Sequence, residues 1–111
     1  MANKGMQYTI HVGLNDATTG VQLYDTEKYI SILQIVCQNY HVAFSLQFAQ
    51  GSYFHEDGRH VDENTLVITL ANIEEETAME IAKDLCSFFH QESVMVSKMP
   101  CSVVFVKDNI D

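Results

Sequence analysis

VAFSLQFAQGSYFHEDGRHVDENTLVITL, residues 42–70, decides the fold. Val42, Phe44, Leu46 and Phe48 alternate with Ala43, Ser45, Gln47 and Ala49, and a period of two is that of a strand with one buried face. Gly51 is expected to break or bend this strand. Glu56-Asp57-Gly58 follows as a turn signal, because Asp-Gly tolerates positive φ. Residues 52–61 therefore read as a short hairpin extension projecting from the sheet. Leu66, Ile68 and Leu70 resume the alternation as a third strand.

The flanks complete the pattern. Upstream, Tyr8, Ile10, Val12 and Leu14 alternate with Thr9, His11 and Gly13 as a first strand, and the polar residues 15–24 read as a loop. Asp25 sits where an N-cap belongs. Tyr29, Ile30, Leu33, Val36, Cys37 and Tyr40 then trace an apolar stripe, which predicts a helix over residues 26–39. Downstream, Asn72 is the expected N-cap of a second helix, with Glu75 completing a capping box. Its stripe is Ala78, Ile81, Ala82, Leu85, Phe88 and Phe89. Val94, Val96, Val103 and Phe105 mark a last strand, with a bulge or edge position expected at Pro100.

The order β-α-β-β-α-β predicts one α+β domain over residues 1–111. It would be a ferredoxin-like two-layer sandwich, an antiparallel sheet with two helices on one face. Its open face would carry Thr9, His11, Ser45, Gln47, Val67, Thr69, Val104 and Val106. Homodimerisation through Val67, Val104 and Val106 would account for that mixture, as would a shallow ligand cleft or cover by a tail or loop.

Fifteen acids against six bases give a formal net charge of -9. Such a surface repels nucleic-acid backbones and anionic membranes. No window approaches the ~20 apolar residues of a membrane helix, and the first residues lack the apolar run of a signal peptide. Cys37, Cys86 and Cys101 are odd in number and form no CxxC pair, so reduced thiols in the cytoplasm are expected.

No motif assigns chemistry. The five histidines have no metal-ligand spacing, no GxSxG elbow or phosphate loop is present, and neither a metal nor a cofactor is expected. His55 and His60 flank the turn, and Arg59 and Glu63 are placed to form an ion pair across the hairpin. A pocket is expected around His11, Gln47, Tyr53, Arg59, Gln91 and Glu92.

The second half resembles a bacterial family of small domains of unknown function. Gly51-Ser52-Tyr53, Asp57-Gly58-Arg59, Glu63-Asn64-Thr65-Leu66 and Phe89-His90-Gln91-Glu92-Ser93-Val94 carry the resemblance, over roughly residues 44–106. It implies no activity, and singles out Gln91 and Glu92 at the junction of the second helix with the last strand.

The expected function is a non-catalytic acidic interaction module, such as a phage- or mobile-element-encoded inhibitor of a basic, nucleic-acid-binding defence nuclease. Its contact residues would be Glu56, Asp57, Asp62 and Glu63 on the hairpin and Glu76, Glu80 and Asp84 along the second helix. The alternatives are a small-ligand sensor, or a small dimeric enzyme using His11 or Glu92 as general base.

Overall fold

The computed structural model describes residues 2–109. The elements run β1 (Ala2–Gly13), α1 (Thr26–Asn39), β2 (Ser45–Phe54), β3 (His60–Ala71), α2 (Glu75–Phe88) and β4 (Met95–Val104). The four strands form one antiparallel sheet in the order β2-β3-β1-β4, the predicted ferredoxin-like arrangement. Cross-strand pairs put Tyr8, Ile10 and Val12 of β1 level with Leu70, Ile68 and Leu66 of β3. All six are buried with Leu33, Val36 and Cys37 of α1 and Ala78, Ile81 and Leu85 of α2. Both helices thus cover the same face of the sheet, and a phenol–carboxylate hydrogen bond joins them, Tyr40 Oη donating to Asp84 Oδ2 at 2.6 Å.

The register makes the molecule long. β1 pairs with β3 only from Gln7 onward, so its first residues meet β4 alone. At the other end β3 runs past Gly13 and pairs with β2 alone, from Gln50↔Asn64 to Phe54↔His60. Two ribbons therefore project from opposite ends of the sheet, and the longest dimension reaches 56 Å. The expected hairpin extension is a continuation of β2 and β3. Gly51 does not break it, since Gly51 pairs in register with Glu63. The turn closes as predicted, with Gly58 at φ 87 and the Asp57 carboxylate accepting the Arg59 N–H at 2.9 Å.

Three expectations change, and Pro100 takes the second of the two positions expected of it. Residues 42–44 precede β2 and do not belong to it. Asn72 is not the cap of α2: it lies at φ 62, outside the helix, and Glu74 is the N-cap residue. Phe88 leaves the apolar stripe at 64% exposure while Phe89 beside it is buried. Pro100 is at an edge without a bulge, paired with Met6 in regular register.

Asp25 caps α1 as expected, its carboxylate accepting the Lys28 N–H at 3.0 Å. Both helices end alike, with a histidine in the left-handed region. His41, at φ 56, donates its N–H to Gln38 O, and Val42 donates to Cys37 O. His90, at φ 50, donates to Ser87 O, and Gln91 donates to Cys86 O. These are Schellman closures, in which the left-handed residue is usually glycine. The two sites differ in what the imidazole does. The exposed His41 ring makes no hydrogen bond among the described residues, whereas His90 Nδ1 lies 2.6 Å from Asp16 Oδ1.

Replacing His41 by glycine removes a left-handed penalty of about 1 kcal/mol, against which glycine adds flexibility to the unfolded chain. His41→Gly should therefore leave stability unchanged or raise it by up to about 1 kcal/mol. His90→Gly, which also loses the Asp16 contact, should lower it. Urea unfolding of the two variants checks the contrast. A second expectation concerns Cys37, whose thiol is pushed up to about 11 by burial. It should resist alkylation in the native protein while the half-buried Cys86 and Cys101 react, and all three should titrate as free thiols after denaturation.

Candidate functional site

The open face of the sheet is not flat. At the end where β1 stops and the β2–β3 ribbon continues, a cleft of about 600 Å3 opens. That lies within the roughly 300–1,000 Å3 of small-molecule sites. The sheet contributes His11 and Gly13 of β1, Gly51 and Tyr53 of β2, Glu63 and Thr65 of β3, and Met95 of β4. One wall is the loop Asn15–Ala17, with the junction Gln91–Ser93 joined to it by hydrogen bonds.

Glu63 is the centre of this arrangement. One carboxylate oxygen accepts the Tyr53 hydroxyl at 2.9 Å and the other accepts the Asn15 main-chain N–H at 2.9 Å. The carboxylate lies against Gly13, where any Cβ would fall on top of it. Gly51, directly across the ribbon from Glu63, is similarly confined: a Cβ there would lie 2.9 Å from Thr65 Oγ1. The absent side chain at Gly13 makes room for the acid, and the one at Gly51 makes room for the Thr65 hydroxyl beside it.

The wall is pinned. Asp16 is buried, and its Oδ2 accepts the N–H groups of Thr18 and Thr19 at 2.9 and 3.0 Å. Its other oxygen faces His90, and this contact, with the backbone donors, holds the Asp16 carboxyl below the ordinary carboxylate value. Gln91 Nε2 donates to Asn15 O at 2.6 Å, and Asn64 Nδ2 donates to Gln22 Oε1 at 2.8 Å.

The cleft is acidic. Asp16, Glu56, Glu63 and Glu92 line it against the single Arg59. The Tyr53 ring is 41% exposed, but its hydroxyl end turns inward. Loss of water around that end, the hydrogen bond to Glu63 and the charges of Glu63 and Glu92 together push the phenol up to about 12, Arg59 opposing them. The Tyr53 ring and the Glu63 carboxylate converge on one space, which suits a cationic ligand.

Of the expected pocket residues, His11, Tyr53, Arg59, Gln91 and Glu92 line the cleft, and Gln47 does not; it lies farther along the open face, opposite Val67. Glu63 pairs with Tyr53 and Asn15 in place of the expected partner Arg59. His55 and His60 do not converge, the first packing near Tyr53 and the second near Phe54. Ser52, His60 and Asp62 look superficially like a nucleophilic set. However, Ser52 Oγ and Asp62 Oδ1 both address the same ring nitrogen, Nε2, at 2.7 and 3.6 Å, so Asp62 does not orient the imidazole for Ser52.

The acids expected to form one contact surface are dispersed. Glu63 and Glu56 belong to the cleft, Asp57 caps the hairpin turn and Asp84 binds Tyr40. Glu56, Asp57, Asp62, Glu76 and Glu80 are exposed, whereas Glu63 and Asp84 are half-buried. The expected dimer face also dissolves. Val67 is 8% exposed, flanked by its cross-strand partners His11 and Gln47. Val104 has the strand parity of Val96, a helix-side residue, and Val106 lies beyond the end of β4.

Comparison with solved structures finds this fold in a phage SAM lyase in complex with S-methyl-5'-thioadenosine, at 22% identity and a TM-score of 0.68, covering 91% of this chain and 90% of that one. A phage SAM lyase in the apo state gives 21% identity and 0.67, covering 96% and 94%. CutA1 from Pyrococcus horikoshii OT3 shares the fold at 10% identity and 0.52, covering 95% and 89%. Comparison with protein-family models returns no match, and comparison with curated proteins returns none either. The expectation of a non-catalytic module is overturned here, because this architecture is one that an enzyme uses over nearly its whole length. Among the described residues no helix is long and apolar enough to cross a membrane.

The tyrosines supply a pH test. Tyr53 and Tyr40 are both pushed up from an ordinary value of 10.0 to about 12, Tyr40 chiefly by its hydrogen bond to Asp84. Each keeps its proton when folded at a pH where the unfolded chain releases it. Their contribution is therefore fully present below pH 10 and is lost as pH rises from about 10 to about 12. Phenolate absorbance should show two late-titrating tyrosines, reduced to one in Tyr53→Phe. Gly13→Ala should displace Glu63 and bring the Tyr53 titration back toward its ordinary value.

Proposed function

We propose that this chain cleaves S-adenosylmethionine, releasing S-methyl-5'-thioadenosine. The observation that carries the reading is the Glu63 carboxylate, held by Tyr53 and Asn15 in an acidic open-face cleft. The likeness in fold to a phage SAM lyase supports it. The substrate's sulfonium and ammonium groups are cations, and Glu63, Glu92 and the Tyr53 ring supply the charge and π face that attract them.

Lyase cleavage uses no water. In the simplest balanced route the substrate's own carboxylate forms a bond to the methionine γ carbon as the bond from that carbon to sulfur breaks. The bonding pair leaves on sulfur, and the products are the neutral thioether S-methyl-5'-thioadenosine and a lactone. No protein group gains or loses a proton. The chain's work is to fold the substrate so that carboxylate and γ carbon meet in line, which is catalysis by orientation. The competing route, removal of a β proton, would yield an unsaturated amino acid instead.

Removal of S-adenosylmethionine deprives SAM-dependent methylation and defence enzymes of a cofactor. An anti-defence role in a host cytoplasm then follows without docking onto a basic protein. Incubation with S-adenosylmethionine should yield S-methyl-5'-thioadenosine and the lactone. Glu63→Gln and Tyr53→Phe should each lower kcat about 10²-fold, the scale of losing one preorganised electrostatic contact. Binding without turnover would make the protein a sensor, and absence of both would end the proposal.

Self-association has separate support. β2 and β4 are the outer strands, each ten residues long with one side unpaired. Phe54, Met99, Val104 and Phe105 are all more than half exposed on the ribbons or just beyond them. Open edges of this length invite pairing with another copy. Light scattering should give a mass above the monomer, and Val104→Glu should lower it.

A further inference from the structure

The geometry points to Gln91 as a positioning residue that, through Asn15, holds Glu63 in its working orientation. Asn15 is gripped at both main-chain groups. Its N–H donates to Glu63 Oε2 at 2.9 Å, and its C=O accepts Gln91 Nε2 at 2.6 Å. Asn15 lies beyond β1 in a single antiparallel bridge with Gln22, and Gln91 lies in the junction after α2, so the alignment of that N–H depends on what fixes the loop. Residues 15 and 63 are 48 apart in sequence, and residues 15 and 91 are 76 apart. The chain of contacts thus links the end of β1, the ribbon and the end of α2.

Gln91 is itself fixed by the closure of α2. Its N–H donates to Cys86 O, its carbonyl accepts from Cys86 Sγ at 3.2 Å, and its amide also reaches Phe89 O at 3.3 Å. The left-handed His90 turns the chain so that the Gln91 side chain crosses to the loop, while the His90 ring meets Asp16 one residue beyond Asn15. Two adjacent residues of the junction therefore hold two adjacent residues of the wall. Rigid second contacts of this kind make a charged group effective in a site, because the group need not reorganise as charge moves.

The kinetic part of this inference rests on the SAM-cleaving reading; the geometric part does not. Two variants of nearly equal shape separate them. Gln91→Met removes the donor, and Gln91→Glu puts an oxygen against Asn15 O. In amide hydrogen exchange the Asn15 N–H should exchange about tenfold faster in Gln91→Met and faster still in Gln91→Glu, on the scale of one lost hydrogen bond. The Val12 amide in the core should not change. In the cleavage assay kcat should fall about tenfold with KM held within about twofold, since substrate contacts remain while alignment is lost.

Asn15 exchange equal to wild type in a folded variant would overturn the proposal. So would equal acceleration at Asn15 and Val12, which would make Gln91 a general support of the fold. A raised KM with unchanged kcat would also overturn it. If wild-type protein shows no turnover, the cleavage reading fails, and the exchange measurement alone decides whether Gln91 positions Glu63.

Discussion

A half-buried carboxylate must find donors, and Glu63 finds them on two other parts of the chain: a phenol across the ribbon and a main-chain N–H where β1 ends. Much of the local architecture follows from satisfying this one group. β1 has to end at a residue without a side chain, because the carboxylate occupies the place where a Cβ would be. The loop after it has to turn its backbone toward the sheet, which the Asp16 turn accomplishes by capping Thr18 and Thr19. The ribbon has to stay in register past Gly51, so that Tyr53 falls on the diagonal from Glu63. Two of these arrangements cost backbone freedom through a glycine, and together the three build a polar cleft at one end of the sheet.

The fold itself was legible because its signals are local. Alternation in residues 8–14 and 66–70, the Asp25 cap and the Asp57-Gly58 turn each act over a few residues, and the structure uses all of them. The misread start of α2 has the same origin. Asn72 is a good cap by residue type, yet a left-handed backbone there turns the chain away before Glu74 begins the helix. Competing local preferences look alike in sequence, and tertiary placement selects between them.

The site was only half legible. Residue type and position mark His11, Tyr53, Arg59, Gln91 and Glu92 as pocket residues, but mark Glu63 only as a contact acid of the hairpin and an ion-pair partner for Arg59. Its role depends on Asn15, 48 residues away, and on a register that composition does not specify. One signal was available: Gly13 and Gly51 are glycines inside strand patterns, and such glycines often mark close approach by another group. The acidic character of the chain misled in a second way. A net charge of -9 suggests a docking surface, whereas part of it is directed into a cleft and part ties elements together, as Asp84 does with Tyr40.

The strand order also governs how the chain can be made. β1 is synthesised first but sits inside the sheet, between β3 and β4. Its partners are about 60 and 90 residues away, so both ladders close long loops, the slow kind of contact. The β2–β3 hairpin needs only its own turn. Emerging from a ribosome, the hairpin and the helices have local contacts available while β1 stays unpaired on one side until β4 arrives. The apolar residues Tyr8, Ile10 and Val12 must wait for β3 and α2 before their final environment is complete. Premature pairing of that strand with another nascent copy is the natural hazard of this topology.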